Sequence, residues 1–230
     1  CSAMSSAMSS IRRCRRGESI FCGLIREGDF TMTILFDIGN VLLNLHFDRF
    51  HAAVLGDANA SLPEDLACLK DPYESGVIDD TEFVARCLDG LRSTMKPGQF
   101  AAAWQDVFSP NDPMWAVVRQ FKALGHRLIL FSNTNGLHSA HFLSEYPDFQ
   151  HFDAHHFSHE VGVMKPDPEF YRDAIKRFEL KPGKTIYIDD LPENIATGRQ
   201  FGFHCWQYEV ERHDACLRWL EGHGVFKIPE

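Results

Sequence analysis

The sequence predicts an α/β three-layer sandwich: a mostly parallel sheet between two layers of helices, with an all-helical cap inserted after the first strand. Three observations carry that expectation. Short, wholly apolar segments alternate with segments of helical spacing, as in repeated strand–helix units with right-handed crossovers. Three of the apolar segments run straight into a polar side chain, at Asp37, Ser132 and Asp189. The interval between the first two, 95 residues from Asp37 to Ser132, is far longer than the roughly 30 residues of a simple strand–helix–strand unit.

Residues 34–36 read as a buried strand that ends at Asp37, and Gly39 lets the backbone turn sharply behind it. The long interval holds no obvious strand and reads as four helices, over 46–54, 63–70, 81–91 and 97–108. Asp112-Pro113 supplies an N-cap and a proline at the first helical position. Trp115, Val118, Phe121 and Leu124 follow at helical spacing, and Gly125 ends that helix. Residues 127–131 form the second strand, 137–146 a helix and 152–157 a weaker strand; Asp167-Pro168 opens a helix that runs to about Glu179. Residues 185–188 form a strand ending at Asp189-Asp190, followed by a helix over 191–201 closed by Gly202, a last strand over 203–206 and a last helix over 212–220. The domain reading is a core over 32–45 and 110–230, a helical cap over 46–109 and a disordered extension over 1–31.

That extension carries five Arg against three acids, and Met32 after it reads as a natural start; a transit peptide or a processed lipoprotein beginning at Cys1 are the alternatives. Without it the chain holds 18 basic and 29 acidic side chains. So acidic a surface disfavours nucleic acid and anionic membrane as partners, but not anionic substrates, because a metal inverts the local sign of a site. No apolar run reaches the ~20 residues that span a bilayer. The seven cysteines are scattered and never spaced as CxxC, which favours reduced thiols in a cytoplasmic protein. A monomer and a homodimer fit equally.

In a parallel sheet the carboxyl ends of neighbouring strands lie side by side, and ligands bind there. Asp37, Ser132 with Asn133, and Asp189 with Asp190 therefore converge, and Lys165 joins them from the loop GVMKP. The inventory suits phosphoryl transfer. A carboxylate can attack phosphorus, gathered carboxylates call for a hard cation such as Mg²⁺, and a hydroxyl and a lysine can hold phosphoryl oxygens.

Four motifs in order, ILFDIGNVL, LILFSNT, VGVMKPDP and IYIDDLPEN, make the chain resemble the haloacid dehalogenase (HAD) superfamily of phosphatases, over about residues 32–210. The segments SNTNGLH, EYP and WQDVF are similar to the bacterial α-D-glucose-1-phosphate phosphatase branch, near the N-terminal phosphatase domain of soluble epoxide hydrolases. The resemblance implies a Rossmann-like core and a Mg²⁺-dependent hydrolase of a small phosphorylated metabolite such as a sugar phosphate. By that resemblance Asp37 is the nucleophile and a metal ligand, and Gly39 offers its carbonyl to the metal. Ser132 and the Asn133 N–H hold the phosphate, and Lys165 bridges Asp37 and the phosphate. Asp190 binds the metal directly, Asp189 does so through water or by orienting Asp190, and Asn194 supports that loop.

One departure stands out. Most phosphatases of this superfamily carry a second, acid–base aspartate two residues after the nucleophile, where this chain has Gly39. Three readings stay open: a substrate with a good leaving group, a substitute such as His46 or Asp48, or an impaired enzyme that serves as a phosphosugar binder or regulator. A phosphomutase would need the missing aspartate, and a 2-haloacid dehalogenase would have no use for Asp189-Asp190. His151, His155, His156 and His159 read as a solvated or hydrogen-bonded cluster rather than a zinc site. His138 and His141 line the entrance or lie on the surface. Trp104, Phe108 and Trp115 read as core, and Tyr73, Glu74 and Arg86 as packed or solvated helix surface that could contact substrate.

Overall fold

The computed structural model describes residues 32–227, so the extension expected over 1–31 lies outside them. In chain order the elements are β1 (Thr33–Phe36), β2 (Leu43–Leu45), α1 (Phe47–Leu55), α2 (Glu64–Ala67), α3 (Lys70–Glu74), α4 (Asp80–Gly90), α5 (Pro97–Gln105), β3 (Phe108–Pro110), α6 (Asp112–Ala123), β4 (Arg127–Ser132), α7 (Gly136–Glu145), β5 (Ala154–Phe157), α8 (Ser158–Val161), α9 (Pro168–Phe178), β6 (Thr185–Asp189), α10 (Pro192–Gln200), β7 (His204–Gln207) and α11 (His213–Gly222). Five strands form one parallel sheet in the order β5-β4-β1-β6-β7. β1 lies at the centre, with Phe36 paired to Leu130 of β4 on one side and to Ile188 of β6 on the other. The strand order reverses there, which opens a crevice beyond its carboxyl end.

Alternate residues of each central strand feed two separate cores, which is the pleat at work. Ile34, Phe36, Leu128, Leu130, Ile186 and Ile188 pack with Trp115, Val118 and Phe121 of α6 and Leu220 of α11. Leu35, Ile129, Phe131 and Tyr187 pack on the opposite face with Phe170, Tyr171 and Ala174 of α9 and Ile195 of α10. Both faces being covered explains why these strands read as continuous apolar runs.

Three expectations need correction. The long interval is not strand-free: β2 and β3 pair antiparallel, Leu43 with Pro110 and Leu45 with Phe108, and helices α1 to α5 lie between them. The helix expected over 63–70 is two short ones, because Pro72 lacks an N–H and fits only the first turn of a helix, so α3 starts afresh at Lys70. Asn111 rather than Asp112 precedes α6, and its side chain turns inward to the Val41 carbonyl at 2.7 Å and the Tyr208 hydroxyl at 3.1 Å. The insertion meets the sheet's helices closely: Gly76 (φ 70°) lies against the His159 carbonyl nearer than any Cβ would allow. Among the described residues no helix is long and apolar enough to cross a membrane.

The His151–His159 segment is hydrogen-bonded residue by residue. His151 pairs with Asp148 at 3.3 Å, His155 with Glu160 at 3.1 Å, His156 with the Phe170 carbonyl at 3.1 Å and His159 with the Thr134 carbonyl at 3.1 Å. His156 is fully buried against Phe131 and Phe170, and that burial pushes its pKa down to about 4. An unfolded chain takes up this proton near pH 6.5, so between pH 6.5 and about 4 the unfolded state binds more protons. The contribution is complete above pH 6.5 and is lost as pH falls through that window, about 3 kcal/mol at its end. Urea midpoints at pH 7 and pH 4.5 should converge in His156→Gln relative to wild type; an unchanged acid slope would refute the assignment.

Candidate active site

The three central strands each run out at a polar residue beside the crevice. Asp37 follows β1, Ser132 closes β4, Asp189 closes β6, and Lys165 arrives from the loop between α8 and α9. Ser132 Oγ donates to Asp37 Oδ1 at 2.7 Å, and Lys165 Nζ donates to the same oxygen at 2.9 Å. Lys165 spends its other two donors on Asp189 Oδ2 at 2.6 Å and the Phe131 carbonyl at 2.9 Å. Asn133 fixes the lysine from behind, accepting from its backbone N–H at 2.8 Å and donating to its carbonyl at 2.9 Å. The side chain of Asn133 is thus a clamp, a role that the sequence did not signal.

Asp189 is wholly buried and accepts four hydrogen bonds. Oδ2 takes Lys165 and Tyr187 (2.5 Å), and Oδ1 takes the Leu191 N–H and Asn194 Nδ2 (2.9 Å each). Both oxygens being saturated, Asp189 positions Lys165 and the loop rather than facing the crevice. Asp190 is half-buried and keeps only the Asn40 side chain, at 3.0 Å. Asn40 has a left-handed backbone (φ 52°), which turns its amide toward Asp190. This contact also went unread in the sequence, although the DxGN pattern was its signal.

Asp37, Asp189 and Asp190 each bring a carboxylate oxygen within 4.8 Å of the others, the one such grouping of His, Cys, Asp or Glu among the described residues. Burial pushes the Asp37 pKa up, Lys165 pulls it down, and the two neighbouring aspartates raise it again. Burial alone would lower the Lys165 pKa, but Asp189 and then Asp37 outweigh it and the net direction is up. One ammonium therefore faces three carboxylates. Asn194 Oδ1, buried and lining the same pocket, has no partner among the described residues. An excess of hard oxygen acceptors over donors fits a small divalent cation.

The pocket over this cluster measures about 240 Å³. Ile38, Leu45, Phe47, Phe108, Phe142 and Leu191 give it apolar walls. Lys70 and Glu74 reach it from α3, paired at 3.2 Å. Glu74 is 7% exposed, and burial raises its pKa against the opposing pull of Lys70. His138 lines the pocket with both ring nitrogens engaged, by Asn135 at 3.2 Å and the Trp104 carbonyl at 2.8 Å. Its burial holds it neutral, with a pKa near 3.

The structure does not bring His46 or Asp48 to this pocket. His46 Nε2 sits 2.7 Å from Ser109 Oγ, and Asp48 is exposed. At Gly39 a Cβ would meet Leu45 Cδ1 at 3.2 Å, so an apolar side chain occupies the neighbourhood of the missing aspartate. Tyr73 is core: its hydroxyl donates to Asp80 at 2.7 Å and accepts from the Leu137 N–H at 3.2 Å. Arg86 is exposed and pairs with Glu82.

The rear of the site tolerates little change. A Cβ on Gly198 of α10 would sit 2.6 Å from Tyr187 Cδ1 and 2.9 Å from Cys205 Sγ, and Tyr187 carries the hydroxyl that holds Asp189. Gly198→Ala should lower the free energy of unfolding by roughly 1–3 kcal/mol in urea titration; an unshifted midpoint would show that the helix can move away from β6.

A family model described as haloacid dehalogenase-like hydrolase matches residues 31–202. The chain is 27% identical over 187 residues to a D-ribitol-5-phosphate phosphatase of Bacteroides thetaiotaomicron, covering 76% of this chain and 91% of that one. It is 26% identical to a sesquiterpene phosphatase of Aspergillus oryzae, covering 73% and 85%. The fold superposes with a TM-score of 0.70 on the magnesium complex of a HAD family enzyme from B. thetaiotaomicron, at 21% identity and over 78% of this chain and 94% of that one. With the strand order, three motif residues at the strand ends, Lys165 from a loop and a family match across most of its length, the chain belongs to the haloacid dehalogenase-like hydrolases.

Proposed function

We propose that the chain is a Mg²⁺-dependent phosphomonoesterase that hydrolyses a small phosphorylated metabolite through an aspartyl-phosphate on Asp37. The observation that carries it is the Asp37 carboxylate, held by Ser132 and Lys165 at 2.7 and 2.9 Å at the base of the pocket. Asp37, Asp190 and the Gly39 carbonyl would hold the metal, which when bound would neutralise the carboxylates and the phosphoryl oxygens. Ser132 and Asn133 then serve the phosphoryl group, and Lys165 offsets charge on both sides of the attack. Two-haloacid dehalogenation would leave the Asp190 carboxylate without a role. Buried free thiols at Cys87, Cys205 and Cys216 fit a reducing compartment such as the cytoplasm.

Glu74 is the proton carrier that Gly39 does not provide. Apart from the Asp37–Lys165–Asp190 cluster, the titratable groups lining the pocket are Lys70, Glu74 and His138. His138 has no free nitrogen, and Lys70 is an ammonium with no acceptor capacity. In the first step Asp37 attacks phosphorus, the ester P–O bond breaks, and the departing alkoxide takes the proton of the Glu74 carboxyl. In the second step water gives a proton to the Glu74 carboxylate as its oxygen attacks phosphorus, and the bond to Asp37 breaks. Burial, which favours the protonated form of Glu74, supports the first role.

Two substrate classes meet this chemistry. A sugar phosphate such as glucose 1-phosphate has an acidic anomeric hydroxyl and leans less on the acid, and the ribitol-phosphate relative supports a polyol. The sesquiterpene relative and the apolar pocket walls favour an ester of an apolar alcohol.

Purified protein should release phosphate from p-nitrophenyl phosphate with Mg²⁺ and lose this activity in Asp37→Asn; a wild type silent on both p-nitrophenyl phosphate and glucose 1-phosphate, with and without Mg²⁺, would end the phosphatase reading. Glu74→Gln should cut kcat on an alkyl phosphate by roughly 10²–10⁴-fold, while the burst of nitrophenol from p-nitrophenyl phosphate, whose leaving group needs no acid, keeps its rate. Equal losses on both esters would remove Glu74 from proton transfer.

A further inference from the structure

A second cavity opens beside the first. It measures about 290 Å³ and lies inside the insertion, among Phe47, Phe50, Leu62, Leu66, Phe83 and Trp104. Phe47 and Lys70 line both cavities, so the two share a wall rather than lying on separate faces. The far side is a packed aromatic cluster. Phe50 and Phe83 each lie 5.0 Å from Trp104, ring centroid to centroid, and all three are buried. Phe47 is only half-buried, and its ring lies 5.8 Å from Trp104.

A second observation is independent of shape. Trp104 is 3% exposed and its indole N–H has no acceptor among the described residues. A buried donor without a partner costs stability unless an acceptor arrives from outside. Trp104 faces His138 with one flat side, stacked at 4.9 Å, and the site's own machinery uses only its backbone carbonyl. The lining is mostly apolar, with His51, Ser61 and Lys70 as its polar side chains, which suits a hydrocarbon body bearing an oxygen better than a hydroxyl-covered sugar.

We propose that the second cavity is the leaving-group subsite: it takes the hydrocarbon body of an apolar alcohol whose phosphate end sits at Asp37, with Phe47 and Lys70 at the passage between the two. The phosphate end of this assignment rests on the phosphatase reading; the apolar end does not. Phe47 lines both cavities, and the Lys70 ammonium pairs with Glu74 at 3.2 Å. Such a ligand is a phosphomonoester of a straight, branched or aromatic alcohol longer than the Asp37 pocket alone can hold.

Alkyl phosphates from ethyl to octyl test this. Each methylene that enters the cavity should raise kcat/KM by about fourfold until it is full. Ala67, exposed at the lip of the cavity, offers a filling variant: Ala67→Trp should erase the gain with chain length. Calorimetry gives a second reading without turnover. With Mg²⁺ present, octylphosphonate should bind wild type at least about tenfold more tightly than ethylphosphonate, and Ala67→Trp should abolish the difference. Affinity independent of chain length in the wild type, or a gain that survives Ala67→Trp, overturns the subsite. Tight octylphosphonate binding with no hydrolysis of any ester keeps the subsite and overturns the phosphatase reading instead.

Discussion

The site depends on one ammonium. Lys165 gives its three donors to Asp37, Asp189 and the Phe131 carbonyl, and it is buried while doing so. Three carboxylates bring oxygens within 4.8 Å of one another, and Lys165 offsets part of their repulsion. Much of the surrounding structure serves that contact. Asn133 clips the lysine backbone on both sides, and Tyr187, Asn194 and the Leu191 N–H hold Asp189 in place to receive it. Breaking one partner of such a buried pair typically costs about 3–5 kcal/mol, because the other charge stays behind. Stability and chemistry are therefore set by the same atoms, and charge left unbalanced by Lys165 is what a cation at Asp37 and Asp190 would offset.

Much of this was legible in the sequence. Apolar runs ending in Asp37, Ser132 and Asp189 gave both the strands and the residues at their ends, since a strand buried on both faces leaves no polar position until it reaches the crevice. The layer on each side followed from helical spacing, as in Trp115, Val118 and Phe121. What stayed hidden depends on distance in the chain. β2 and β3 are three residues each, and pairing Leu43 with Pro110 is a long-range event that no local pattern announces. Glu74 reads with Tyr73 and Arg86 as able to contact substrate, but which of the three reaches the pocket was hidden, because α3 has only five residues and no period to read. His46 looked well placed on spacing alone, yet its ring is taken by Ser109 on the strand that closes the ribbon.

Gly39 changes meaning once its surroundings are known. The side chain absent there is not replaced by a polar neighbour on the same loop; Leu45 fills the space. The sheet end thus keeps Ser132, Asn133 and Lys165 while Leu45 makes the opposite wall apolar, and the polar side chains there are Lys70 and Glu74 of α3. The same helix reaches both cavities through Lys70, so proton delivery by Glu74 and recognition of the leaving group would be coupled through one short element.

The β2–β3 ribbon has a consequence for how this chain can change over time. Its two strands leave and rejoin the sheet side by side, so the helical insertion is a loop whose ends are already closed. In a flexible chain, doubling the length of a closed loop costs only about 0.6 kcal/mol in closure entropy. Segments between Leu45 and Phe108 can therefore lengthen, shorten or be exchanged while β1, β4 and β6 keep their register. Under the proposed function, selection could redraw the substrate through the insertion while the strand ends at Asp37, Ser132 and Asp189 stay as they are.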